Sequence, residues 1–317
     1  MSEVSPETRL WDLMRGAMTA KALAVAADLR IADALAEGRR PVIELAEQNG
    51  ANPDTLHRVL RALASDGVFA EDEPGVFRNT EASELLRRDG WTEFAHLFGS
   101  VFSEAANTLD PSVSEETFTH KFGTDFWSWL AANPGERTAF DSAMAAGKER
   151  GADRLAQLDW HADETVVDIG GGNGALLREL IQRRPELRGT VFDLPETVRD
   201  EASLGEGVEF VAGSFFDKVP AGDAYLLSAI LHDWSDERAG AILRTIRSAA
   251  PPEARLFVLE TVITPGNEPH GSKWLDLLML VLAGGRERTE DEWRRLIEGA
   301  GFQVGSVEDG LIQARCR

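Results

Sequence analysis

Cysteine is nearly absent from this chain, whose 317 residues include a single one, Cys316. One cysteine excludes an internal disulfide and a cysteine metal cluster, and it is typical of a reducing compartment, so we expect a cytoplasmic protein. Long apolar runs are missing as well. The stretch from Trp274 to Ala283 contains Asp276 and is far shorter than the roughly 20 residues that cross a bilayer. The first residues, MSEVSPETRL, are too polar for a secretory signal.

Basic side chains are scarce relative to acidic ones. The sequence has 33 lysines and arginines against 54 aspartates and glutamates, which gives a formal net charge of −21 at pH 7. This charge repels nucleic acid and anionic membranes, so we expect neither as a partner and expect a small-molecule ligand instead. Hydrophobic residues make up 43% of the chain, which is enough for one large domain or two ordinary ones.

The N-terminal part has the spacing of packed helices followed by a winged helix. Apolar residues at helical intervals predict one or two packed helices over about residues 7–38: Leu10, Met14, Met18 and Leu23. Two more helices are predicted on either side of a turn at Gly50, and a β-hairpin is predicted around Pro74-Gly75. Residues 41–90 carry ten acids against five arginines. Duplex DNA requires the opposite sign of charge, so the pattern favours dimerisation or substrate enclosure over DNA binding.

Residues 92–157 are predicted to be helical and are rich in large apolar side chains. Because aromatic residues at helical spacing pack in cores far more often than they line cavities, we expect most of them to be buried. The set comprises Phe94, Phe98, Phe102, Phe122, Phe126, Trp127, Trp129, Phe140 and Met144.

From Thr165 onward, predicted strands alternate with predicted helices, the pattern of a doubly wound α/β sheet. Near the C-terminus, a tight turn at Asp309-Gly310 joins two predicted strands, which must therefore be antiparallel. The sequence thus predicts a mostly parallel sheet with one reversed strand at its end. Thr289 and Glu292 have the spacing of a capping box and predict the start of a helix.

The segment TVVDIGGGNG, residues 165–174, predicts a buried strand that runs into a glycine-rich turn. Gly170, Gly172 and Gly174 alternate, but Ala175 also satisfies the third position of a dinucleotide fingerprint, so spacing alone leaves the cofactor open. Asp193 follows about 20 residues later. A carboxylate at that point accepts hydrogen bonds from ribose hydroxyls, whether the cofactor is a dinucleotide or another nucleoside.

Five blocks occur in a characteristic order: VVDIGGGNG, FDLPETV, LLSAILHDWSD, LFVLETVI and GGRERTEDEWRRLIEGAGF. Together they resemble the S-adenosylmethionine-dependent O-methyltransferases of the plant caffeate and bacterial natural-product type, and the resemblance covers nearly the whole chain. It implies a Rossmann-like methyltransferase sheet with a reversed last strand, preceded by a mostly helical winged-helix dimerisation domain. The implied division is a dimerisation domain at residues 1–100, a helical linker with substrate-facing helices at 101–157, and a catalytic domain at 158–317. A homodimer is expected.

The resemblance also implies that S-adenosylmethionine is the cofactor and S-adenosylhomocysteine the product. It places the methionine and ribose parts against Asp168, Gly170 and Gly172, the ribose hydroxyls on Asp193, and the adenine beside Leu194. Further adenine contacts fall on Gly213, Ser214 and Phe215. Ser214 departs from the acid that the family commonly has there, and Ser228 stands where plant members often have lysine, so both contacts are weaker predictions.

His232 follows the predicted strand Tyr225 to Leu227, at the sheet edge where ligands of α/β proteins bind. A free imidazole, with a pKa near about 6.5, is largely basic at neutral pH and can take the proton of a phenol, whose pKa is about 10. The resemblance makes His232 the general base and places two flanking acids at Glu260 and Glu287. Without the resemblance, a solvated role for Glu287 in the polar run RERTEDE is nearly as plausible.

An acceptor pocket for a flat aromatic ring is expected from apolar and adaptable side chains: Trp127, Phe140, Met144, Trp234 and Met279. Asp233 either contacts the acceptor or caps the following helix. No grouping of carboxylates indicates a divalent metal, so metal-independent transfer is predicted. The main hypothesis is methyl transfer to the hydroxyl of a small, phenolic secondary metabolite. The alternatives are N-methylation or a non-methylating reaction on the same fold, and a winged-helix DNA-binding regulator.

Overall fold

The computed structural model describes residues 5–88, 90–110, 117–195, 197 and 204–317. The chain divides into two compact units. The first comprises the residues up to Asn107 together with Leu130–Ala146, and the second comprises Thr108–Trp129 and Gly147–Arg317. The predicted linker at residues 101–157 is therefore shared between both units. None of the helices in the described ranges combines the length and apolar character needed to cross a bilayer.

The first part of the chain is mostly helical. Its helices are α1 (Pro6–Met14), α2 (Gly16–Asp28), α3 (Ile31–Ala34), α4 (Val42–Asn49), α5 (Pro53–Ser65), α6 (Glu81–Leu85), α7 (Trp91–Phe98), α8 (Val101–Ala106), α9 (Thr117–Phe122), α10 (Phe126–Ala132), α11 (Pro134–Ala145) and α12 (Lys148–Ala156). Its strands are β1 (Arg40–Pro41), β2 (Phe69–Glu73) and β3 (Val76–Asn79).

From residue 165 the strands are β4 (Thr165–Ile169), β5 (Arg188–Asp193), β6 (Val208–Ala212), β7 (Ala224–Ser228), β8 (Arg255–Leu259), β9 (Phe302–Glu308) and β10 (Leu311–Cys316). The helices are α13 (Ala175–Arg183), α14 (Asp236–Ala249), α15 (Ser272–Ala283) and α16 (Glu290–Gly299). Helix α16 begins with the predicted capping box of Thr289 and Glu292.

The predicted helix-turn-helix and wing are present in the first unit. Gly50 ends α4 in the left-handed conformation, and the Asn52 side chain caps α5 by accepting a backbone N–H at 2.9 Å. Helix α5 buries one apolar face, formed by Leu56, Leu60 and Leu63. The small antiparallel sheet has the order β1-β3-β2. The local turn and capping signals were therefore sufficient to predict this element.

The apolar stripe at the N-terminus does not pack within the chain. Leu10, Trp11, Met14 and Met18 are 60%, 63%, 70% and 75% exposed. Leu23 is half-buried. The predicted helices are present as α1 and α2, but helical spacing identifies an apolar face without saying what covers it.

The prediction that most aromatic residues of segment 92–157 lie in the core is also wrong. Phe102 and Phe126 are buried, and Phe98 is 47% exposed. The remaining members are half-buried: Phe94, Phe122, Trp127, Trp129, Phe140 and Met144. Several of these rings contact one another, as in the stacked pair Phe118 and Phe122, whose centroids lie 4.2 Å apart. Helical spacing does not say which distant element covers a ring, so it overestimated burial here.

The second unit is built on a seven-stranded sheet with the order β6-β5-β4-β7-β8-β10-β9. The pairs among β6, β5, β4, β7 and β8 are parallel, whereas β10 is antiparallel to both β8 and β9. This confirms the predicted Rossmann-like sheet with a reversed last strand. The Asp309-Gly310 turn produces the reversal, because a two-residue connection cannot join parallel strands.

Alternate residues of the central strands face two different cores. One core joins Val167, Tyr225 and Val258 to helices α14 and α16, and the other joins Val166, Leu226 and other residues to α13. Side chains alternate across a strand, so a sheet covered on both faces has apolar residues at successive positions. With both faces occupied, the carboxyl edge of the parallel strands remains for a ligand.

Candidate active site

The glycine-rich turn follows β4 directly. Gly170, Gly172 and Gly174 have φ angles of 68°, 60° and 74°, a region that other residues adopt only with strain. Gly170 is also required by space, since a Cβ there would lie 2.5 Å from the Ile230 side chain. Gly174 is the N-cap of α13. The turn therefore presents backbone at the sheet edge where side chains would otherwise block a ligand.

Asp193, at the end of β5, fastens this turn to the sheet. Its Oδ2 accepts the Gly172 N–H at 2.8 Å, while Oδ1 accepts the Leu194 N–H at 2.7 Å and the Thr197 hydroxyl at 3.0 Å. The Asp193 side chain is half-buried. Both oxygens are thus oriented by the chain at the end of β5.

Asp168, at the end of β4, is 1% exposed, and its Oδ2 has no hydrogen-bond partner in the described part of the chain. Burial raises the pKa of Asp168 to about 7, with the positive charge of Lys148 opposing the rise and Asp193 adding to it. A buried carboxylate oxygen without a donor is costly to the fold. This atom is placed to receive a donor from a ligand seated on the glycine turn.

The segment after β6 reaches the same edge. Gly213 donates its N–H to the Asp193 carbonyl at 2.9 Å, and Ser214 Oγ accepts the Phe216 N–H at 3.2 Å. Phe215 is half-buried, with its ring 6.0 Å from that of Trp234, and Leu194 is 43% exposed. The residues predicted to contact adenine therefore lie on adjacent strand ends.

His232 lies on a single 3-10 turn, Leu231–Asp233, shortly after β7. Its Nδ1 is 2.7 Å from Glu287 Oε1 and 3.4 Å from Glu260 Oε2, and its Nε2 is 3.6 Å from Asp233 Oδ1. All four side chains are buried. The structure thus brings together residues separated by up to 55 positions in the sequence.

The expectation of an ordinary imidazole pKa at His232 is wrong. Burial disfavours the charged ring, but the negative charges of Glu260, Asp233 and Glu287 outweigh burial and raise the pKa to about 10. Burial also raises the pKa of Asp233 to about 7 and raises that of Glu260. The surrounding carboxylates therefore favour the protonated ring, an effect that the sequence spacing gave no means to predict.

Glu260 and Glu287 hold the ring in different ways. Glu260 Oε1 accepts the backbone N–H groups of Ile230 and Leu231 at 3.0 and 2.8 Å, so it fixes the backbone leading to His232. Glu287 is 1% exposed and hydrogen-bonds the ring itself. The alternative of a solvated role for Glu287 is therefore wrong, since the polar run RERTEDE turns inward at this position.

Arg288 is a positioning residue that the sequence reasoning missed. Its side chain is completely buried and donates to the carbonyls of Leu231 at 3.1 Å and Trp234 at 2.8 Å, on both sides of His232-Asp233. It also donates to Asp236 at 2.8 Å. An arginine within a charged run normally indicates a solvated surface, and no sequence signal distinguishes this one.

Gly285 allows its own backbone to pack closely against the turn that carries His232. A Cβ at Gly285 would lie only 2.0 Å from the carbonyl oxygen of His232. The neighbouring Arg286 donates its N–H to that oxygen at 2.8 Å. The backbone of the segment that carries Glu287 is therefore pressed directly against the turn that carries His232.

His232, Glu260 and Glu287 also have the spacing of a cation site, since one donor atom from each lies within 4.8 Å of the others. Two of these donors are already engaged with each other in the 2.7 Å hydrogen bond between Nδ1 and Glu287. A metal would have to replace that bond. Metal independence stays a prediction, and the hydrogen-bonded arrangement favours it.

The predicted acceptor residues fall into both units. Trp127, Trp234 and Met279 belong to the second unit, where Met279 is buried and the two tryptophans are half-buried. Phe140 and Met144 belong to the first unit and are half-buried there. The helix after His232 is capped by Ser235, so capping is not the role of Asp233.

Lys148 is a second residue that the sequence reasoning missed. It is the first residue of α12, and its Nζ donates to Ser228 Oγ, at the end of β7, at 2.9 Å. Both residues line a cavity of about 270 Å³ that also contacts His232 and Glu260. The 80 positions between Lys148 and Ser228 explain why spacing did not relate them.

Comparison with known proteins agrees with this geometry. Residues 102–303 match the family model of the O-methyltransferase domain, and residues 11–89 match that of the O-methyltransferase dimerisation domain. The chain is 40% identical over 311 residues to phenazine O-methyltransferase PhzM of Lysobacter antibioticus, with 94% of this chain and 91% of that protein covered. The chain belongs to the S-adenosylmethionine-dependent O-methyltransferases.

Two solved structures of similar proteins support the assignment. This O-methyltransferase superposes on LaPhzM with a TM-score of 0.91 at 38% identity, covering 99% and 100% of the two chains. It superposes on NcsB1, an O-methyltransferase from neocarzinostatin biosynthesis in complex with S-adenosylmethionine and 2-hydroxy-5-methyl naphthoic acid, with a TM-score of 0.83 at 32% identity and full coverage of both. The match of the winged-helix region to a dimerisation domain favours the enzyme over the DNA-binding regulator.

The methyltransferase's own residues fit this cofactor. The glycine turn leaves room for a ligand beside backbone, Asp193 is held in place at its edge, and Asp168 Oδ2 lacks a donor that an ammonium group could supply. Lys148 adds a positive charge at the same edge. Acidic and basic groups are thus present for a ligand that carries both an ammonium and a carboxylate.

Proposed function

We propose that this O-methyltransferase methylates a hydroxyl group of a small aromatic compound and that His232 is the general base. The observation that carries the proposal is the 2.7 Å hydrogen bond between His232 Nδ1 and Glu287, which leaves Nε2 for the acceptor. Asp233 Oδ1 lies 3.6 Å from Nε2, beyond hydrogen-bonding distance. Glu260 and Glu287 orient the ring in this proposal, since both contact it or its backbone.

When bound, S-adenosylmethionine supplies a methyl group on a positively charged sulfur, which needs only an aligned nucleophile. The chain's residues align the hydroxyl and accept its proton. The acceptor oxygen would take the methyl carbon, whose bond to sulfur would break and leave S-adenosylhomocysteine, while the O–H bond breaks and the proton passes to His232 Nε2. The surrounding carboxylates stabilise the resulting imidazolium.

The raised pKa of His232, about 10, sets the pH range in which this residue can accept a proton. It is close to the ordinary pKa of a phenol, about 10, so proton transfer between the two groups is nearly balanced. The ring accepts a proton only after losing its own. Activity is therefore expected to increase as the pH rises towards the pKa of His232.

The proposed cofactor contacts are those whose side chains or backbone meet at the carboxyl edge. Asp168, Gly170 and Gly172 face the methionine and ribose parts, and Asp193 faces the ribose hydroxyls. The adenine end is proposed to lie against Leu194 and a segment consisting of Gly213, Ser214 and Phe215. The half-buried Phe215 ring offers a stacking surface, and the Ser214 hydroxyl is partly engaged with Phe216 N–H at 3.2 Å.

The proposed acceptor is a flat aromatic compound that carries a hydroxyl. Trp127, Trp234 and Met279 supply apolar surface in the second unit, and Phe140 and Met144 are proposed as further contacts. The similar proteins point the same way, because one is named for phenazine and another was solved with a hydroxylated naphthoic acid. Both compounds are small fused aromatic systems.

A homodimer is proposed as the working assembly. The matched dimerisation domain, at residues 11–89, contains an apolar stripe that the chain itself leaves exposed. Trp11, Met14 and Met18 are between 63% and 75% exposed. A second copy burying this stripe would remove a large apolar surface from water.

The test is His232→Ala, assayed for a mass gain of about 14 Da, one CH₂, across a panel of phenols and hydroxylated fused aromatics. We expect the rate to fall by roughly 100- to 10,000-fold, the usual contribution of a general base. Binding of S-adenosylhomocysteine, measured by isothermal titration, should be retained and serves as the control for folding. Retention of the rate within threefold would refute the assignment of the base, and methylated amines in place of hydroxyls would refute the acceptor class.

A further inference from the structure

Lys148 supplies a positive charge to the cavity of about 270 Å³ that also contacts His232 and Glu260. Its ammonium reaches the end of β7, where Nζ donates to Ser228 Oγ at 2.9 Å. Arg154 lines the same cavity but donates to the carbonyls of Glu308 and Asp309, and Arg150 is exposed. Of these three lining cations, Lys148 is the one that hydrogen-bonds the end of β7 at Ser228.

Among the described residues, no carboxylate lies within 4.0 Å of the Lys148 Nζ. The hydrogen bond that Nζ donates there goes to a neutral hydroxyl, that of Ser228. Burial lowers the pKa of Lys148, while the negative charges of Asp168 and Glu260 oppose this change. A desolvated ammonium without a paired anion is unfavourable. The ammonium has three N–H groups, and the two that do not bond Ser228 can donate to an anionic ligand.

We propose that Lys148 binds the carboxylate of the cofactor's methionine part. Adenine, ribose and sulfonium are neutral or positive, so the carboxylate is the anionic group of this ligand. Asp168, on the neighbouring strand, carries the unpartnered oxygen that suits the ammonium of the same amino acid. Lys148 begins α12, whose N-terminal end adds a favourable field for an anion.

This assignment extends the predicted contact at Ser228. The side chain at position 228 reaches the same point as the Lys148 ammonium, since Oγ and Nζ are 2.9 Å apart. A lysine at either position could therefore place a charge in the cavity. The inference depends on the family's cofactor and is independent of the proton transfer assigned to His232.

The test is Lys148→Met, which keeps the length of the side chain and removes its charge. Isothermal titration is carried out with S-adenosylhomocysteine and with 5′-methylthioadenosine, which has the same nucleoside but no amino-acid part. We expect the affinity for S-adenosylhomocysteine to fall by roughly 10- to 100-fold, as for the loss of a charge-assisted hydrogen bond. The affinity for 5′-methylthioadenosine should change by less than about twofold.

Lys273→Met is the matched control, because the Lys273 ammonium donates to the carbonyls of Gly266 and Glu268 on the surface. It should leave both affinities unchanged. The exchange variant Lys148→Ser with Ser228→Lys should recover most of the affinity for S-adenosylhomocysteine that Lys148→Ser loses. An unchanged preference for S-adenosylhomocysteine in Lys148→Met would overturn the proposal. Equal loss of both ligands would also overturn it, since Lys148 would then support the fold and not the carboxylate.

Discussion

Replacing Gly285 by alanine tests whether close packing holds in place the turn that carries His232. The added methyl carbon would lie 2.0 Å from the His232 carbonyl oxygen and 2.5 Å from the Asp233 carbonyl carbon. Real Cβ atoms essentially never approach another heavy atom within 3.0 Å. The backbone around Gly285 and the turn that carries His232 must therefore move apart by at least about 1 Å, from 2.0 to 3.0 Å. No catalytic group is removed by this change.

A displacement of about 1 Å in a catalytic group costs on the order of 100-fold in rate. The separation also stretches the 2.7 Å hydrogen bond between His232 and Glu287, because Glu287 lies two residues after Gly285. We expect kcat for methyl transfer to fall about 100-fold. The affinity for S-adenosylhomocysteine should stay within about twofold, since the glycine turn and Asp193 lie on other strands. Product formation is followed by mass spectrometry and cofactor affinity by titration.

Gly299→Ala is the matched control, because a Cβ at Gly299 meets no heavy atom within 4 Å and its φ is not in the left-handed region. This variant should retain the wild-type rate. A folded Gly285→Ala enzyme with kcat within threefold of wild type would refute the reasoning. It would mean that the turn carrying His232 tolerates displacement.

Two further predictions concern the protonation of His232 and the assembly. Glu287→Gln removes one of the carboxylates that raise the pKa of His232 to about 10, so the rise of kcat/KM with pH should move to lower pH while the maximal rate falls. The pH profile between about 6 and 10 measures this shift. Trp11→Glu places a charge on the exposed apolar stripe of α1 and should convert the proposed dimer to monomers, as measured by light scattering at several concentrations.

Each of these variants has a surface control. Glu290→Gln lies on the exposed side of α16, where Glu290 pairs with Arg294, and it should leave the pH profile unchanged. An unshifted profile in Glu287→Gln would show that Glu287 does not set the charge of the ring. Ser248→Glu, on the exposed part of α14, should leave the assembly unchanged. A Trp11→Glu protein that remains dimeric would place the interface elsewhere.

Local signals in the sequence predicted most of the fold. The capping box at Thr289, the left-handed residue at Gly50 and the turn at Asp309-Gly310 each depend on neighbouring residues alone. They were read correctly for that reason. The burial of the aromatic rings was predicted wrongly, because burial depends on which distant element covers a face.

The candidate site was predictable where a residue directly follows a strand. Asp168 and Asp193 lie at the carboxyl ends of β4 and β5, and His232 lies on the short turn that follows β7, all strands that the alternation pattern identified. Arg288 and Lys148 could not be found in this way. Arg288 lies in a charged run that resembles surface, and Lys148 begins a helix far from its partner Ser228.

The sequence by itself determined the strand and helix pattern, the reversed final strand and the residue types available for methyl transfer, because these follow from local conformation and side-chain chemistry. The tertiary structure decided the charge state of His232, the burial of Glu287 and the position of the Lys148 ammonium. Ionisation depends on desolvation and on distances of a few ångströms between charges. Only the folded chain sets those distances between residues that are far apart in sequence.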